Sequence, residues 1–130
     1  MNTIEVLEKV HAHLVKQGVR SIDVDQNICL YLRESDGARC AVGLFIPDGH
    51  RALGERCSVS NLMEDYPDLA YGALDVEGLD ADGLETFWST VQQFHDGPHY
   101  WTVEGDVSRY DGPSVAEMGR QVRNALAGDE

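Results

Sequence analysis

Residues 27–46 read Asn27-Ile28-Cys29-Leu30-Tyr31-Leu32-Arg33-Glu34-Ser35-Asp36-Gly37-Ala38-Arg39-Cys40-Ala41-Val42-Gly43-Leu44-Phe45-Ile46. Two apolar runs flank an Asp-Gly pair, and the fold turns on whether those runs pair as a hairpin. Asp-Gly favours a tight two-residue turn, because both positions there need a positive φ. With Asp36 and Gly37 as the loop, Cys29 lies opposite Leu44, Tyr31 opposite Val42 and Arg33 opposite Cys40. Alternation then sends Ile28, Leu30, Leu32, Ala41, Gly43 and Phe45 to the core. Cys29, Tyr31, Arg33, Cys40, Val42 and Leu44 share the other face. Pro47-Asp48-Gly49 ends the second strand with turn chemistry.

Helical patterns lie on both sides of this segment. Ile4, Leu7, Val10 and Leu14 recur at helical spacing and predict a helix over about 3–17, with Asn2 and Glu5 as a capping box and Gly18 as a left-handed stop. A short strand is expected within 19–24. A short helix is expected near 60–66, stopped by Pro67, then a turn or helix around 69–74. Asp80 or Asp82 caps a longer helix to about Phe94, in which Leu84, Phe87, Trp88, Val91 and Phe94 form a broad apolar stripe. Residues 100–103 read as a short strand. Ser114 and Glu117 open a last helix carrying Val115, Met118, Val122 and Leu126. The reading is an α+β fold: a small antiparallel sheet built on the hairpin, packed against N-terminal, central and C-terminal helices, with 1–130 as a single domain.

The charge is unevenly distributed. The chain of 130 residues has a formal net charge of -13, with 10 Lys+Arg against 23 Asp+Glu. Residues 1–57 hold eight acidic and seven basic side chains, and 109–130 hold four and three. Between them, 58–108 hold eleven acidic residues and neither Lys nor Arg. The densest part carries Asp75, Glu77, Asp80, Asp82 and Glu85. Such a field repels phosphate backbones and anionic membranes, so direct nucleic-acid and membrane binding are disfavoured and a basic protein surface is the expected partner. A solvated face that keeps the chain soluble is the plainer alternative. A calcium loop is excluded: the register that uses Asp80, Asp82 and Gly83 puts Gly78 first and Ser89 twelfth, where acids must ligate.

The start of the chain, with Glu5 and Glu8 in a helical pattern, lacks the basic flank and apolar block of a signal peptide, so a cytoplasmic location is expected. Cys29, Cys40 and Cys57 are odd in number and lack zinc-type spacing, and reduced thiols follow. A cysteine hydrolase or transferase would use Cys40 as nucleophile, His95 or His50 as base and Asp96 as orienter. Cys40 lies in the expected strand, away from any helix N-terminus that would lower its pKa, which favours a packed role. His11 and His13 point to different faces of the first helix, and Gly97-Pro98 separates His95 from His99. No metal or cofactor is expected. Trp88, Tyr100 and Trp101 read as core before they read as a binding surface.

Three segments, Cys29-Leu30-Tyr31, Cys40-Ala41-Val42-Gly43-Leu44-Phe45-Ile46-Pro47-Asp48 and Phe94-His95-Asp96 followed by Trp101, resemble a family of small uncharacterised proteins encoded by bacteriophages and prophages. The resemblance covers roughly residues 1–101, and its specific motif is 40–48. It implies an N-terminal helix, a hairpin ending in the Ile-Pro-Asp segment and a later helix ending in His-Asp. An aromatic or acidic residue commonly follows that Ile-Pro-Asp, where Gly49-His50 stands here. No activity is established for that family. What the resemblance implies is an accessory gene of the kind that encodes small acidic inhibitors of host defence or transcription machinery. The expectation is therefore a non-enzymatic, anti-CRISPR-like or nucleic-acid-mimicking protein that binds a host nucleic-acid-handling complex through Asp75, Glu77, Asp80, Asp82 and Glu85.

Overall fold

The computed structural model describes residues 1–23, 28–105 and 107–128, the side chain of Val107 excepted. Helix α1 spans Thr3–Gln17. The Asn2 carboxamide accepts the Glu5 N–H at 2.9 Å, the Glu5 carboxylate accepts the Asn2 N–H, and Gly18 at φ 70° ends the helix. Its buried stripe is Val6, Leu7, Val10 and Leu14, whereas Ile4 is half exposed. Three of the four expected stripe residues, Leu7, Val10 and Leu14, are thus on the buried face, with Val6 in place of Ile4.

Strand β1 (Ile22–Asp23) pairs antiparallel with β2 (Ile28–Cys29), placing Ile22 opposite Cys29. Helices α2 (Val59–Asp65) and α3 (Pro67–Ala70) meet at Tyr66, Pro67 opening the second helix instead of merely stopping the first. Helix α4 runs Ala81–Asp96 with the Asp80 carboxylate accepting the Gly83 N–H at 2.8 Å. All five stripe residues, Leu84, Phe87, Trp88, Val91 and Phe94, are buried, together with Gln92 and His95. Strand β3 (Trp101–Glu104) forms a hairpin with β4 (Val107–Tyr110), and helix α5 (Val115–Leu126) starts from the Ser114 hydroxyl, which accepts the Glu117 N–H. Helix α4 is central: α1, α2 and α5 all pack on it. The α+β class holds, and no helix is long and apolar enough to cross a membrane.

Asn27 lies outside the described residues, and over 28–46 the expected hairpin does not form in that register. Arg33 bridges to Ala38, not Cys40, and β2 pairs backwards with β1. Beyond Ala38 the chain enters a turn and a 3₁₀ segment over Gly43–Phe45. The physical reason is competition for the backbone. The Gln17 carboxamide takes both polar groups of Arg39, accepting its N–H at 2.8 Å and donating to its carbonyl at 2.9 Å, and His13 also donates to that carbonyl. Gln92 accepts the Val42 N–H at 3.1 Å. The Arg39 guanidinium then curls the chain by bonding the carbonyls of Gly43 and Ile46 and pairing with Asp48. The two-faced alternation goes with the strand: Ala41 and Gly43 are buried as expected, but so are Tyr31, Cys40 and Val42 from the other face, while Ile28 is exposed. Gly43 crosses the backbone of Tyr31 so closely that a Cβ there would lie 2.0 Å from the Tyr31 carbonyl oxygen.

Candidate functional site

The last turn of α4 presents His95 to Ser21 and Cys29. The ring is fully buried, and its Nε2 accepts the backbone N–H of Ser21 at 2.8 Å. A backbone N–H only donates, so Nε2 is the unprotonated nitrogen and the hydrogen sits on Nδ1. Nδ1 faces the Asp96 carboxylate at 2.9 Å and the Cys29 sulfur at 3.8 Å. The Ser21 hydroxyl in turn faces the carbonyls of Leu30 and Ala38 at 2.7 and 3.0 Å, so the imidazole indirectly ties three points of the preceding segment. At the end of α4 the indole of Trp101 donates to the His95 carbonyl and Arg20 donates to that of Asp96. These donors satisfy carbonyls that a helix C-terminus leaves open.

The thiol that touches this ring is Cys29. Its sulfur accepts from the Gln92 amide at 2.8 Å and contacts the thiol of Cys40. Cys40 is fully buried, with the Gly43 N–H directed at its sulfur at 3.3 Å. The hydrogen bond to Cys40, burial and the nearby Asp96 charge all push the Cys29 thiol far above its ordinary range. A reactive cysteine requires the opposite shift. The imidazole offers no general base either, since its one lone pair already accepts the Ser21 N–H. The same fact weighs against metal ligation. Cys29, His95 and Asp96 are the group among the described residues whose ligand atoms all lie within 4.8 Å of one another. A metal at Nδ1 would need that nitrogen stripped of its hydrogen while Nε2 stays an acceptor, which is an imidazolate.

His50 repeats the pattern. Its Nδ1 accepts the Ala52 N–H at 3.0 Å, leaving Nε2 to donate to Asp68 at 2.7 Å, and it caps the 3₁₀ turn Arg51–Gly54. His11 packs edge-on against Tyr110 while His13 reaches Arg39, so the two do point apart. Trp88 and Trp101 are core residues.

The acidic candidates lie elsewhere, on the loop between α3 and α4 and the first turns of α4. Leu74 and Val76 are buried while Asp75 and Glu77 between and after them are exposed. The loop is anchored from inside: the Trp88 indole donates to the Leu74 carbonyl at 2.7 Å, and Leu74 donates to Leu69 at 2.8 Å. The Glu77 N–H bonds the Met1 carbonyl at 2.9 Å. Asp80, Asp82 and Glu85 follow, all exposed, with Asp80 capping the helix and Glu85 accepting the Ser60 hydroxyl at 2.6 Å. Acids at this helix start are also favoured by its dipole. None of the five has an ion-pair partner among the described residues.

The structure thus places Asp75 and Glu77 on the α3–α4 loop and Asp80, Asp82 and Glu85 at the start of α4, and joins His95 to Asp96 and Cys29. Ser21 and Gln92 were missed. Gln92 carried a signal, since it is a polar residue within the apolar stripe of α4; Ser21 carried none. Compared with known proteins, the chain matches no family model, no curated protein and no solved structure at a significant level.

Proposed function

We propose that this chain is a non-enzymatic phage or prophage accessory protein whose acidic 58–108 region docks onto a basic surface of a host protein, a nucleic-acid-handling defence complex being the target class. The observation that carries this reading is the state of five carboxylates: Asp75, Glu77, Asp80, Asp82 and Glu85 are exposed, held on an anchored loop and helix start, and have no ion-pair partner among the described residues. Fixed, unneutralised charge of one sign steers a cationic partner and costs little entropy on binding. The alternative, a hydrolase or transferase using Cys40 and His95, gains no support from a ring whose lone pair is already engaged. The test neutralises the loop through Asp75→Asn, Glu77→Gln, Asp80→Asn and Asp82→Asn, the asparagine at 80 preserving the helix cap. In affinity capture from host lysate at low and high salt, the native chain is expected to enrich a nucleic-acid-handling protein in a salt-sensitive manner and the variant to lose it. Equal capture by both at physiological salt sinks the reading.

A further inference from the structure

Beside the acidic loop lies a groove of about 420 Å³ between α2, α3 and the start of α4. Its apolar surface comes from Met63, Pro67, Ala70, Tyr71 and Leu84. Tyr71 is 72% exposed, the most exposed large apolar side chain among the described residues. Polar lining is confined to Ser60, Glu64 and Glu85. Both glutamates are exposed and neither has a basic partner among the described residues. The hydrogen bond from Ser60 to Glu85 joins α2 to α4 at this groove.

We propose that the groove receives one apolar side chain of a partner segment whose flanking Lys or Arg residues meet Glu64 and Glu85. The inference rests on the acidic-docking reading and adds where its anchor sits and what chemistry it takes. Charge complementarity selects the occupant. An anionic ligand or a lipid surface is repelled by the rim, and so is a second copy of this chain, which carries the same carboxylates. A small polar ligand would need convergent donors to orient it, and here the polar lining is two carboxylates and one hydroxyl. An apolar floor with an exposed aromatic ring at its edge and acids on its rim instead matches a basic segment with one apolar anchor, Tyr71 offering its face to a flanking cation.

The test is fluorescence anisotropy at about 0.15 M salt, a physiological ionic strength, with the native chain and two labelled peptides. One is Lys-Arg-Lys-Leu-Lys-Arg-Lys and the other carries Ser in place of Leu. Burying the leucine is expected to make the first bind about tenfold or more tightly. Tyr71→Ala, an exposed site whose loss leaves the core intact, is expected to weaken the leucine peptide severalfold and the serine peptide much less. Glu64→Gln is expected to weaken both. Equal affinity of the two peptides, or no binding of either, overturns the groove while leaving the acidic-docking reading to its own lysate experiment. A concentration-dependent dimer abolished by Tyr71→Ala also overturns it, naming a second copy as occupant.

Discussion

The knot around His95 and the acids of the α3–α4 loop use the same polar chemistry and differ in where their partners are. At the knot, Ser21, Cys29, Gln92, Asp96 and Trp101 supply partners from four separate stretches of chain. At the loop, Asp75, Glu77, Asp80, Asp82 and Glu85 face solvent and have no ion-pair partner among the described residues. Three carboxylates outside 58–108 do have arginine partners: Asp36 pairs with Arg33, Asp48 with Arg39 and Glu117 with Arg120. The difference teaches how to tell architecture from function in a chain with a His-Asp pair. Polar atoms partnered inside hold the fold, whereas the loop acids keep their charge in solvent even where, as at Asp80 and Glu85, they accept a local hydrogen bond.

The sharpest way to break this comparison is to remove the knot. His95→Leu keeps the volume but orphans the Ser21 N–H, and should cost on the order of 2–4 kcal/mol in urea unfolding. A stability equal to the native chain would mean that the ring is not the tie described. Gly43→Ala comes next. A Cβ 2.0 Å from the Tyr31 carbonyl forces the backbones apart, and overpacking of this kind should cost about 1–3 kcal/mol; an unchanged midpoint would place the 3₁₀ segment elsewhere.

The mildest perturbation is pH. Burial raises the Tyr31 and Tyr110 hydroxyls, and Cys40 with burial raises the Cys29 thiol, above their ordinary values of 10.0 and 9.0. A raised folded pKa gives stability that is complete below the unfolded value and lost as pH rises past it, because the unfolded chain releases those protons first. Stability should therefore decline above about pH 9, by roughly 1.4 kcal/mol per pH unit for each group past its ordinary pKa. His13 works the other way: burial lowers it from 6.5, so its contribution is present above that pH and lost below. Chemical denaturation from pH 5 to 10.5 would show this plateau, and a monotonic profile would contradict it.

The groove and loop experiments sharpen the other half of the comparison. They change charge or exposed surface only, so they should move binding while leaving the unfolding midpoint nearly fixed.

Much of this molecule is legible in its residues. Asn2 with Glu5, Asp80 and Ser114 mark helix starts because their side chains cap locally, and those contacts span three residues. The α4 stripe and the charge segregation are equally local properties of the chain. What only the tertiary structure decided is the path of 28–46 and the identity of the thiol beside His95. Both depend on side chains distant in sequence: Gln17 and His13 from α1 and Gln92 from α4 take the hydrogen bonds that a hairpin would have used. An Asp-Gly turn favours a hairpin only while the flanking backbone has no better partner, and here two packed helices supplied one.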